Sequence, residues 1–93
     1  IIIDFNINED TLFIENNAII LIENNTIGAS DFSWSFGDGE TSNQVSPWHE
    51  FNQVGTFNIE LIANNNNCFE TLSKTIVVTK TTGINDDISN CIR

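Results

Sequence analysis

Asp31-Phe32-Ser33-Trp34-Ser35-Phe36 alternates bulky aromatic with small polar side chains, and Gly37-Asp38-Gly39-Glu40 follows at once. A strand sends successive side chains to opposite faces, so Phe32, Trp34 and Phe36 share one side and Ser33 and Ser35 the other. No helical period gathers those three rings. Asp-Gly then supplies the positive φ that a tight turn between extended segments demands. The stretch reads as a half-buried strand entering a turn, with Trp34 as its core residue.

The same two-residue period recurs on both sides. Toward the N-terminus, Ile3, Phe5 and Ile7 alternate with Asp4 and Asn6, and residues 11–14 are again extended. Residues 18–23 are apolar on both faces, and Ile20 and Ile22 are expected to face inward. Toward the C-terminus, residues 41–47 form a polar connection and residues 48–51 a short extended stretch. Residues 56–62 place Phe57, Ile59 and Leu61 on one face, and the last strand, residues 72–79, turns Ile76 and Val78 inward. Asparagine clusters at 16–17, 24–25 and 64–67 mark the joints, because Asn bonds its own backbone and tolerates left-handed geometry. About seven short strands separated by turn signals predict an all-β fold, an antiparallel β-sandwich over residues 1–79. From residue 80 the alternation stops, and 80–93 reads as a flexible linker.

Charge narrows the function classes. Thirteen acidic residues face three basic ones, Lys74, Lys80 and Arg93, for a formal net charge of -10. Phosphate backbones and anionic lipid need clustered cations, so nucleic acid and membrane-surface binding are excluded. The longest apolar run, residues 18–22, is far short of the roughly 20 residues that span a bilayer, so membrane insertion is not expected. With 93 residues and no methionine, the chain reads as one domain cut from a longer precursor.

Few residues suggest chemistry. His49 is the only histidine, and general-base work would require a nucleophile and an orienting acid around it. Ser42 and Ser46 are near it in sequence, yet a sandwich of this size rarely encloses a reactive pocket, so no catalytic residue is assigned. Asp38 and Glu40 are the candidates for calcium, which wants six to eight oxygens; two carboxylates on a turn that already needs Asp-Gly read as structure. No cofactor is expected. Trp48 is expected to pack against the sandwich edge. Exposed, it would stack on a sugar ring or anchor a protein partner, with Asn43 and Gln44 as polar companions. Cys68 and Cys91 either close a loop of about 22 residues, contributing about 3 kcal/mol in chain-entropy terms, or stand as a loop thiol and a tail thiol. Asn24-Asn25-Thr26 matches the N-glycosylation sequon.

Three blocks together are specific. Trp34-Ser35-Phe36-Gly37-Asp38-Gly39, then Pro47-Trp48-His49-Glu50-Phe51, then Gly55-Thr56-Phe57, with Ile76-Val77-Val78 as final strand, resemble the PKD domain family. The resemblance covers about residues 3–79 and implies an immunoglobulin-like sandwich of two antiparallel sheets. It implies a non-catalytic module of secreted or cell-surface proteins, set beside adhesive, glycan-degrading or proteolytic domains. Its partners would be neighbouring domains of the same parent chain, a surface protein or a polysaccharide. It gives His49 a structural position between Pro47 and Phe51. The chain departs from the family pattern at Ser35, where Asp is usual, and at Phe51 and Phe57, where tyrosines are usual. Relatives secreted by type IX systems pair a cysteine equivalent to Cys68 with one near the second strand. Residues 11–22 hold none here, which leaves Cys91 as the partner within the chain. Residues 82–90 resemble the linker before a type IX secretion sorting domain, which implies passage across an outer membrane to the cell exterior. Asp10-Thr11-Leu12 is similar to the O-glycosylation acceptor of such proteins, with Thr11 as the modified residue.

Overall fold

The computed structural model describes residues 1–80. Eight strands follow in order: β1 Phe5–Ile7, β2 Thr11–Phe13, β3 Ile19–Asn24, β4 Asp31–Ser35, β5 Thr41–Ser42, β6 Trp48–Glu50, β7 Gly55–Asn65 and β8 Cys68–Thr79. They form two sheets, of order β1-β3-β6 and β2-β8-β7-β4-β5. This is the expected sandwich with one strand more than the alternation indicated. The extra strand is β5, within the connection over 41–47, where Thr41 and Ser42 pair with Ser35 and Trp34. Two polar residues carry no hydrophobic period, so only the hairpin partner reveals them.

Pairing is antiparallel except between β2 and β8, which run parallel with Thr11 opposite Val77. β1 and β2 therefore belong to different sheets. The chain crosses over between them, through residues 8–10, and β2 ends in a 3-10 turn over Ile14–Asn16 that Asn17 closes at φ 60°. Asparagine accepts that conformation more readily than other side chains bearing a Cβ.

β7 and β8 are longer than expected. Their ladder runs from Gly55 opposite Val78 to Asn65 opposite Cys68, leaving Asn66 and Asn67 as the turn. The Asn65 Oδ1 accepts from the backbone N–H groups of Asn67 and Cys68, at 3.2 and 3.1 Å. One asparagine thus closes the hairpin while Asn64 and Asn65 stay in the strand.

The inward residues form a single core. Phe5, Leu12, Ile20, Ile22, Trp34, Phe36, Phe51, Ile59, Leu61, Ile76 and Val78 are all buried. Phe5 of one sheet meets Trp34 of the other edge to face, with ring centroids 5.0 Å apart. That geometry suits the ring quadrupoles. The Trp34 indole N–H, buried with its ring, donates to the Gln44 carbonyl oxygen at 2.8 Å. Beside the core, the Lys74 ammonium lies 5.3 Å from the centroid of the Phe5 ring.

Candidate functional site

The β4–β5 turn and β6 meet at one end of the sandwich. Gly37 and Gly39 hold φ of 82° and 94°, and between them the Asp38 carboxylate turns back on its own loop. Its Oδ1 accepts from the Glu40 backbone N–H at 3.0 Å. Its Oδ2 lies 2.7 Å from the His49 Nε2. The imidazole stacks flat on Phe36, at 4.1 Å and 5°, and meets Phe51 edge on, at 4.7 Å and 88°. Phe51 stacks in turn on Phe57 at 4.6 Å.

Asp38 sits on the β4–β5 turn of the five-stranded sheet and His49 on β6 of the three-stranded one, so their contact joins the two layers. Burial works to raise the Asp38 pKa, but four effects outweigh it: the hydrogen bond from His49, the Glu40 N–H, the electrostatic attraction of the imidazole and the residue's own backbone N–H. The carboxyl is held below its ordinary value.

Alternation on β6 sends Trp48 and Glu50 the opposite way from His49. Trp48 is 61% exposed. This corrects its expected packing against the sandwich edge: Pro47, not Trp48, is the buried neighbour of His49. A cleft of about 450 Å³ opens beside the strand, lined by Asp38, Glu40, residues 48–53 and Phe57.

The other candidates are placed as follows. Asn43 and Gln44 are exposed on the β5–β6 connection and do not line that cleft; Gln44 contributes its carbonyl to Trp34. Ser42 and Ser46 accept from the backbone N–H groups of Gln44 and Asn24, at 3.2 Å each. Both Asp38 oxygens are engaged, and among the described residues no three His, Cys, Asp or Glu side chains gather to hold a metal ion. Asn24, the sequon residue, donates its amide N–H to the Val45 carbonyl at 2.8 Å and accepts from the Thr26 N–H at 3.0 Å. Thr11 is exposed on β2, an edge strand. Cys68 is exposed at the start of β8, and Cys91, like the linker over 82–90, lies outside the described residues. The sequence reading missed Glu50, Asn52 and Gln53 as neighbours of Trp48. The outward parity of Glu50 with Trp48 on one strand was the available signal.

The PKD domain model matches residues 7–80. The chain belongs to the PKD domain family. The chain is 40% identical over 48 residues to collagenase ColA of Clostridium perfringens (strain 13 / Type A), a match covering 50% of this chain and 4% of that protein. It superposes on the PKD1 domain of the Vibrio cholerae metalloprotease PrtV with a TM-score of 0.69 and 19% identity, covering 85% of this chain and 96% of that one. A protein from a study of promiscuous carbohydrate-binding modules of the β-sandwich superfamily gives a TM-score of 0.77 at 22% identity, covering 90% of this chain and 36% of that one. Both structural likenesses fix the fold. No helix among the described residues is long and apolar enough to cross a membrane.

Proposed function

We propose that this PKD domain is a non-catalytic accessory module of a larger extracellular or cell-surface bacterial protein, a stiff spacer whose β6 face contacts a protein partner. The observation carrying this reading is the division of β6: His49 is committed inward to Asp38 and two phenylalanines, while Trp48 stands outward with most of its ring in solvent. A histidine held this way has no nucleophile to activate. An exposed indole is the kind of rigid, amphipathic group that anchors contacts. The match to a segment of a collagenase supports a place inside a multidomain secreted parent. The resemblance of residues 82–90 to a type IX linker is what supports export across an outer membrane, and Thr11, exposed on β2, is open to O-glycosylation there.

Trp48 also favours a second reading, a carbohydrate-binding module of a secreted enzyme. A glycan array probed with the wild-type chain and with Trp48→Ala separates the two. Negligible binding by both fits the spacer and protein-contact module; binding by wild type that Trp48→Ala abolishes establishes the carbohydrate module instead. Turnover of peptide or glycoside substrates by the purified chain would overturn the non-catalytic reading. Calcium has no part in this proposal, since Asp38 and Glu40 supply two carboxylates where six to eight oxygens are wanted, and a melting temperature indifferent to millimolar calcium and to chelator is expected.

A further inference from the structure

The outer edge of β6 combines three features. The first is an open ladder. Ile22 donates to the Pro47 carbonyl and Phe51 to the Ala18 carbonyl, so the alternate residues Trp48 and Glu50 aim their backbone N–H and C=O groups away from β3. β6 ends its sheet, and among the described residues no strand pairs with it on that side.

The second is an apolar centre. Leu21 is directly opposite Trp48 in the register, and the two are 58% and 61% exposed. Non-hydrogen-bonded antiparallel pairs bring their side chains closest, so these two form one outward patch. The third is charge. Glu40 and Glu50 line the cleft with Trp48, and Glu23 stands two residues from Leu21 on the same face. The described residues contain two lysines, Lys74 and Lys80, both in or just after β8 on the other sheet.

We infer that the β6 edge docks an extended, arginine-bearing segment of a protein partner, which adds a strand beside Trp48–Glu50 and lays a guanidinium against the Trp48 ring between the Glu40 and Glu50 carboxylates. The unpaired amides and carbonyls select a polypeptide backbone, since strand addition satisfies them in register. The acidic rim selects a cation. A flat, delocalised guanidinium stacks on indole and pairs with carboxylates, which a compact ammonium does less well. A bare metal ion lacks its ligand set here. Three residues of edge supply few hydrogen bonds, so the contact is weak and the side chain carries its specificity.

This inference rests on the protein-contact reading above and refines it. The test is an NMR titration of the 93-residue chain with a capped hexapeptide alternating Thr and Val around one central arginine. The expected result is movement of the Trp48 indole and of the Trp48 and Glu50 amide signals. Affinity should fall about fivefold or more with citrulline in place of arginine, with Glu50→Gln, and with Trp48→Ala. Lysine in place of arginine should bind more weakly, and rising salt should weaken all the cationic peptides. Signals unmoved at about 10 mM peptide, citrulline binding as well as arginine, or an unchanged titration with Trp48→Ala would each overturn it. Those outcomes leave the spacer reading standing, whereas Trp48-dependent glycan binding removes both.

Discussion

Asp38 and His49 close the mouth of the sandwich with a 2.7 Å contact between groups carried by different sheets. Their side chains are 22% and 14% exposed, so solvent screens the pair only in part. Asp38→Asn keeps the shape and removes the charge, and it should cost about 1 kcal/mol in urea unfolding. His49→Ala also empties the space between Phe36 and Phe51 and should cost about 2–3 kcal/mol. A double-mutant cycle should return a coupling of about 1 kcal/mol; strict additivity would show that the pair contributes nothing.

The same pair sets a pH dependence. The Asp38 pKa is lower in the folded chain than in the unfolded one, so the unfolded state binds the proton first as pH falls. The contribution is complete above the ordinary carboxylate pKa and is lost as pH drops through the lower, folded value. Protonating the other carboxylates relieves self-repulsion in a chain of net charge -10, which acts in the opposite direction. The wild-type minus Asp38→Asn difference isolates the effect. It should be positive at neutral pH and shrink steadily in acid, as read by urea midpoints.

Much of this was legible from alternation, and the limits of legibility have physical reasons. Phe32, Trp34 and Phe36 on one face, and Ile20, Ile22, Ile76 and Val78 inward, follow from a period of two. β5 did not show because a two-residue polar strand has no period to read. The Asp38–His49 pair lay hidden because it joins sheets, and pattern within a strand says nothing about what faces it across the core. The exposure of Trp48 was likewise misjudged. Parity sets Trp48 opposite His49 on β6, and a large aromatic was expected to find packing at the sandwich edge even on that side.

Gly37 and Gly39 share a positive φ and differ in surroundings. A Cβ on Gly37 would stand 2.8 Å from the Asn58 nitrogen and 3.0 Å from its oxygen, both backbone atoms of β7 that cannot step aside. A Cβ on Gly39 would meet nothing within 4 Å. Gly39→Ala should therefore cost about 1–2 kcal/mol, the left-handed penalty alone. Gly37→Ala adds overpacking and should cost about 1–3 kcal/mol more. Equal melting temperatures for the two variants would contradict the close approach of the turn to β7.

The two tryptophans offer the sharpest contrast. Trp34 is 1% exposed, touches Phe5 across the core, and gives its N–H to Gln44. Trp34→Phe keeps most of the apolar contact but leaves the Gln44 carbonyl without its donor, so about 1–3 kcal/mol should be lost. Trp34→Ala should cost about 3–5 kcal/mol, comparable to the whole stability of a domain this small. Trp48→Ala removes a ring that stands mostly in water, and its effect on stability should stay within about 0.5 kcal/mol. Acrylamide quenching gives an independent check. Trp48→Phe should leave an emission that acrylamide barely reaches, and Trp34→Phe an emission that it quenches readily. The reverse pattern would mean that β6 faces the other way, with Trp48 in the core and His49 outside, and the contact with Asp38 could not then form.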